Sequence, residues 1–146
     1  MNRLTIIFFI AFISVTVNAQ KAEVFSTSSG AIKGYDPVAY FTVGKPVKGD
    51  PKISFHWNNA DWYFSSEANL KVFKSSPEKY APQFGGYCAY GVSDNHKAPT
   101  NPDAWTIVDG KLYLNYNMEV KELWSVDKLT LIKKANDLWP TIKNKE

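Results

Sequence analysis

The sequence predicts an α+β domain: a small antiparallel sheet built from hairpins, with helices packed on it and a further helical segment at the C-terminal end. Three observations predict it. Residues 105–108 and 111–116 are rich in β-branched, aromatic and leucine residues and flank Asp109-Gly110, the dipeptide best suited to a two-residue hairpin turn, which needs positive φ at both central positions. Ile53-Ser54-Phe55-His56-Trp57 alternates apolar with polar and is followed at once by Trp62-Tyr63-Phe64, the pattern of a second hairpin with one face inward. Beyond residue 117, Val120, Leu123 and Trp124, then Leu131, Ala135 and Leu138, recur at spacings of three and four, the stripe of helices lying across a sheet.

Residues 1–19 carry Arg3, an apolar run from Leu4 to Val17 broken only by Thr5, Ser14 and Thr16, and a small-x-small Val17-Asn18-Ala19, which together predict a secretory signal peptide cut before Gln20. The chain is therefore expected to be exported, periplasmic or secreted, with no integral membrane segment after cleavage. Residues 20–30, with Ser26-Thr27-Ser28-Ser29-Gly30, are expected to be a flexible lead-in, residues 31–142 the domain, and residues 143–146 a polar tail. A formal net charge of +3, with no basic block before Lys143 and Lys145, makes nucleic acid or an anionic membrane an unexpected partner. With 45% apolar and 15% aromatic residues there is material for one core. One cysteine excludes an internal disulfide, so stability must come from packing.

In chain order, Asp36 can cap a turn whose first position Pro37 presets, with Val38, Tyr40 and Phe41 as apolar anchors. Gly44, Pro46, Gly49 and Pro51 punctuate a loop. In the first hairpin, parity sends Ile53, Phe55 and Trp57 to the core and Ser54 and His56 to the other face. Ser65 or Ser66 caps a helix over 67–74 carrying Leu70 and Phe73, which Pro77 ends. Residues 92–103, with His96, Pro99 and Pro102, form an irregular polar loop. Asn117 caps one C-terminal helix and Asp127 the next, which Pro140 closes.

The scaffold is arranged around Tyr80-Ala81-Pro82-Gln83-Phe84-Gly85-Gly86-Tyr87-Cys88-Ala89-Tyr90-Gly91, where the single thiol follows a glycine pair framed by rings. Three chemistries fit this pattern. A thiolate at Cys88 with imidazole from His56 or His96, and a thioether from Met118, suits a soft metal ion, copper or zinc. A Cys88 nucleophile activated by a histidine needs a lowered thiol pKa, and no hydrolase signature surrounds it, so enzyme activity is not expected. Aromatic residues Tyr35, Tyr40, Trp57, Trp62, Phe84, Tyr87 and Tyr90, with Asp36, Gly85 and Gly86, could instead line a pocket for a small ligand or a groove for a protein partner.

Gly34-Tyr35-Asp36-Pro37-Val38, then Trp62-Tyr63-Phe64-Ser65-Ser66, Phe73, Pro77-Glu78-Lys79-Tyr80, the Gly-Gly-Tyr-Cys-Ala stretch and Gly110-Lys111-Leu112-Tyr113-Leu114 resemble, as an ordered set over residues 31–140, the exported single-domain members of the YHS family. The resemblance implies a treble-clef-like core related to metal-sensing modules. It also marks a departure. Metal-associated members place cysteines just after Asp-Pro-Val and just after the Tyr-Phe strand, where this chain has Ala39 and Ser65, Ser66 and Glu67, with Ala68 in the next turn. Those thiolates do not carry over, whereas Cys88 does, and the family implies no settled activity for it.

Overall fold

The computed structural model describes residues 22–145. Among them the chain forms six helices and three two-stranded antiparallel sheets, an α+β fold. Strands β3 (Asp50–Trp57) and β4 (Ala60–Phe64) pair with Phe55 opposite Trp62 and His56 opposite Asp61, joined through Asn58 and Asn59, both at positive φ. The expected parity holds: Ile53, Phe55 and Trp57 are half-buried, while Ser54 and His56 are exposed. Strands β5 (Trp105–Val108) and β6 (Lys111–Leu114) form the second predicted hairpin, with Asp109 at φ 50° and Gly110 at φ 71°.

Helix α1 (Ala39–Thr42) follows Asp36, and helix α2 (Glu67–Ser75) is capped by Ser66, whose side chain accepts from the Asn69 N–H at 3.1 Å. Phe73 on α2 is fully buried and meets the rings of Trp57, Trp62 and Phe64 at centroid distances of 5.7, 5.3 and 5.1 Å. Burying such a phenylalanine stabilises by about 2–3 kcal/mol, so the hairpin and α2 hold one another in place. Pro77 ends α2 and starts α3 (Pro77–Tyr80), where its missing N–H costs nothing at the first helical position.

Helices α5 (Met118–Val126) and α6 (Lys128–Ile142) form the C-terminal segment, and Asn117 caps α5 by accepting from the Val120 N–H at 2.8 Å. Asp127 precedes α6 without a capping side-chain bond, and Pro140 lies inside α6 instead of closing it. The carbonyl that Pro140 cannot bond within the helix belongs to Asn136, a residue on the exposed side of α6. Helix α6 lies against α4 (Ala89–Ser93), a short helix that opens at Cys88 and takes in the first two residues, Val92 and Ser93, of the expected loop. Strand β6 serves two cores: Leu112 and Leu114 enter the one with Trp62, Phe64 and Phe73, and Tyr113 enters the one with Phe84, Trp124 and Ala135.

The lead-in departs from the expected flexible segment. Residues 22–31 are part of the fold: Val24 is 2% exposed, Phe25 N–H donates to the Gly85 carbonyl at 2.8 Å, and β1 (Ser26–Thr27) pairs with β2 (Gly30–Ala31). Lys97, 4% exposed, reaches both ends, donating to the Ala22 carbonyl at 3.3 Å, the Lys145 carbonyl at 3.0 Å and the Lys143 carbonyl. The predicted leader lies outside the described residues. Among the described residues no helix is long and apolar enough to cross a membrane.

Candidate functional site

The Gly-Gly turn sets the position of Cys88. Phe84, Gly85 and Gly86 all have positive φ, and a Cβ on Gly85 would stand 1.8 Å from the Glu23 carbonyl oxygen, so only glycine lets residues 23–25 lie along this turn. The chain then enters α4 through Cys88, whose N–H donates to the Ala98 carbonyl at 3.0 Å. The Cys88 Sγ accepts from the Gly91 N–H at 3.4 Å, and its S–H donates to Asn115 Oδ1 at 3.5 Å, which also takes the Tyr90 N–H at 3.1 Å. Burial pushes the thiol up from its ordinary pKa, and hydrogen bonding from the Gly91, Tyr116 and Tyr90 backbone pulls the other way more weakly.

Cys88 and His96 line one recess of about 320 Å³ together with Tyr90, Gly91, Tyr116 and Val120. His96 Nδ1 sits 3.3 Å from the Asp94 carbonyl oxygen, which orients the ring. Its Nε2 lies over Gly91, 3.2 Å from where a Cβ would be. Any larger residue at position 91 would press on that imidazole.

The third predicted ligand does not join them. Strand parity sends His56 to the outer face of the β3–β4 hairpin, where Nδ1 is 2.7 Å from Asp61 Oδ1 beside the hydroxyl-bearing residues Ser26, Thr27 and Ser28. Among the described residues no group of three or more histidine, cysteine, aspartate or glutamate side chains could hold a metal ion, so the set Cys88, His56 and His96 does not converge. Met118 starts α5 and is 43% exposed.

The predicted aromatic pocket divides. Trp57, Trp62, Phe84 and Gly85 line a groove of about 240 Å³ with Asn58, Glu23 and Glu78. Asp36 is fully buried and cannot face a ligand: Oδ1 accepts from the Val38 and Ala39 N–H groups, and Oδ2 from the Ser65 N–H, Ser65 hydroxyl and Asn69 amide. Tyr40 belongs to the core, its hydroxyl donating to the Pro102 carbonyl at 3.1 Å. Tyr35 lies under the Lys48 ammonium, 4.8 Å from the ring centroid. Gly86 turns its carbonyl to the buried Thr100 hydroxyl at 2.8 Å, away from the groove. Tyr87 walls a separate recess with Phe25 and Lys97, and Tyr90 stands at the Cys88 recess.

Sequence reasoning missed Glu23 and Glu78 in the groove, and Asn115 and Tyr116 beside Cys88. Only Asn115 carried a signal, an amide directly after an apolar strand; the others enter through long-range backbone packing. No family model matches the chain, and no curated protein or solved structure matches it. What the fold and geometry define is a small α+β domain with a thiol–imidazole recess and a separate acid-rimmed aromatic groove.

Proposed function

We propose that this chain is an exported, non-catalytic binding domain of the YHS type that takes one soft metal ion, Cu(I) in preference to Zn(II), at the Cys88–His96 recess. The observation that carries the proposal is that one thiol and one imidazole line a single recess, with a backbone N–H already directed at the sulfur. A thiolate formed at Cys88 keeps the Gly91 N–H as donor, and an imidazole turned to Asp94 through Nδ1 offers Nε2 as the ligating nitrogen. Zinc in a closed structural site takes four protein ligands, and this recess offers two, whereas thiolate and imidazole favour Cu(I). Two protein donors leave coordination positions open to a partner's donors, which suits handing a metal on better than storing it. Burial raises the Cys88 thiol pKa, opposite to the activation a nucleophile needs, and this supports a non-catalytic role.

The test is anaerobic Cu(I) titration against a chromophoric chelator, with Zn(II) in parallel, on wild type, Cys88→Ser, His96→Gln and His56→Gln. One Cu(I) per chain is expected in wild type and His56→Gln, about tenfold weaker binding in His96→Gln, and none in Cys88→Ser. Because the metal displaces the thiol proton, the apparent affinity should fall about tenfold per pH unit on acidification. Wild-type protein that keeps no copper, or Cys88→Ser protein that keeps as much, removes the reading and leaves Cys88 as a packing residue.

A further inference from the structure

We propose that the groove between the β3–β4 turn and the Gly-Gly turn is a binding site for a small organic cation, a methylated or quaternary ammonium group. It is distinct from the Cys88 recess and does not rest on the metal reading. The Trp57 ring gives the groove an aromatic face that is fixed before any ligand arrives. Trp57 is half-buried, packs edge-on against Phe73 at 5.7 Å and 86°, and lies 6.0 Å from the Trp62 ring. Trp62 is 1% exposed, and its indole N–H donates to the Trp57 carbonyl at 3.0 Å. Phe84 borders the groove with a left-handed backbone, at φ 57°, while its ring, 5% exposed, packs on Tyr113 and Trp139. Such preset rings lose little freedom when a ligand docks.

The charge at the rim selects the ligand's sign. Two carboxylates, Glu23 and Glu78, line the groove, and no lysine or arginine does. Glu23 is partly neutralised by Lys143 at 3.8 Å, while Glu78 pairs with no cation among the described residues. An anion would meet uncompensated negative charge. A hard divalent cation needs several converging oxygens, and the described residues offer no such group. A methylated ammonium satisfies both halves of the site, with its charge near the carboxylates and its methyl groups on the half-buried Trp57 ring. A volume of about 240 Å³ admits a headgroup of that size and falls below the roughly 300–1,000 Å³ of drug-sized pockets.

The experiment is a titration with tetramethylammonium and with choline, followed by tryptophan fluorescence and calorimetry. The neutral choline isostere, in which carbon replaces the quaternary nitrogen, serves as control. Both cations should bind with Kd of about 1 mM, and the isostere at least about tenfold more weakly. Glu78→Gln, on an exposed short helix, should weaken choline about two- to fivefold, and Glu23→Gln with Glu78→Gln about tenfold. Trp57→Leu should abolish binding, while Cys88→Ser should bind as wild type. Isostere binding as tight as choline, an unchanged double glutamine variant, or no response to either cation at about a hundred times the expected Kd would each overturn the proposal.

Discussion

The Asp36 carboxylate gathers five donors from three stretches of chain: the start of α1, Ser65 after β4, and Asn69 in α2. Part of this role was legible, since an Asp before Pro-Val announces a cap for the next N–H groups. The donors from Ser65 and Asn69 were not, because nothing local shows that α2 returns to this carboxylate. Asp36→Asn puts an amide donor where donors already converge, so the variant should lose about 2–4 kcal/mol, read as a lower urea midpoint at unchanged m-value. A loss below about 0.5 kcal/mol would mean that the oxygens are satisfied by water instead. At Cys88 the thiol is held neutral by burial, the dominant influence on it. Metal-free protein should therefore react with iodoacetamide at pH 7.5 at least about tenfold more slowly than a free thiol, with the rate climbing only above the ordinary thiol range. Alkylation as fast as glutathione's would point to an activated cysteine and revive a nucleophilic role.

Among the elements, the hairpins were legible because their signals are local: a dipeptide that tolerates positive φ, and a period of two. The Gly-Gly turn was legible as a place needing positive φ or a close backbone approach, but the segment that makes the approach was not. Gly85 and Gly110 have similar positive φ, 61° and 71°, yet a Cβ on Gly110 meets nothing within 4 Å while one on Gly85 runs into the Glu23 carbonyl. Gly110→Ala should cost about 1 kcal/mol of backbone strain, and Gly85→Ala about 3 kcal/mol or more, because it also separates residues 22–25 from the turn. Equal losses from the two would show that the close approach is not maintained in solution. The same seam explains the misread lead-in. Ser26-Thr27-Ser28-Ser29 looks solvated by composition, but residues 22–31 are fastened by main-chain bonds, such as Phe25 N–H to the Gly85 carbonyl and Ile32 N–H to the Phe25 carbonyl, which composition cannot report.

For the whole molecule, the α+β class and both hairpin cores follow from patterning, whereas convergence of side chains does not. Sequence named Cys88, His56 and His96 together, and only the path of the chain through α4 separates the pair that shares a recess from the histidine on the far hairpin face. Packing without disulfides concentrates aromatic residues, and several of them are buried phenols. Tyr40 is driven far above its ordinary pKa, first by burial and then by the nearby Tyr35, Asp103 and Asp36, while burial also raises Tyr87 and Tyr113. The sign follows from which form the fold disfavours. A raised folded-state pKa means that the contribution is fully present below the unfolded value, about 10 for tyrosine and 8.5 for cysteine, and is lost as pH rises toward the folded value. Stability should therefore decline from roughly pH 9 upward, each such group adding about 1.4 kcal/mol per pH unit while pH lies between its two values. Urea midpoints taken from pH 7 to about pH 11, with phenolate absorbance recorded on the same samples, should show tyrosine ionisation and unfolding rising together. Tyr40→Phe should be less stable at neutral pH by about 1 kcal/mol, through loss of the bond to the Pro102 carbonyl, and should fall less steeply in alkali. Phenolates that form at ordinary pH in protein that stays folded would show that water reaches these rings and that the aromatic core is looser than its packing implies.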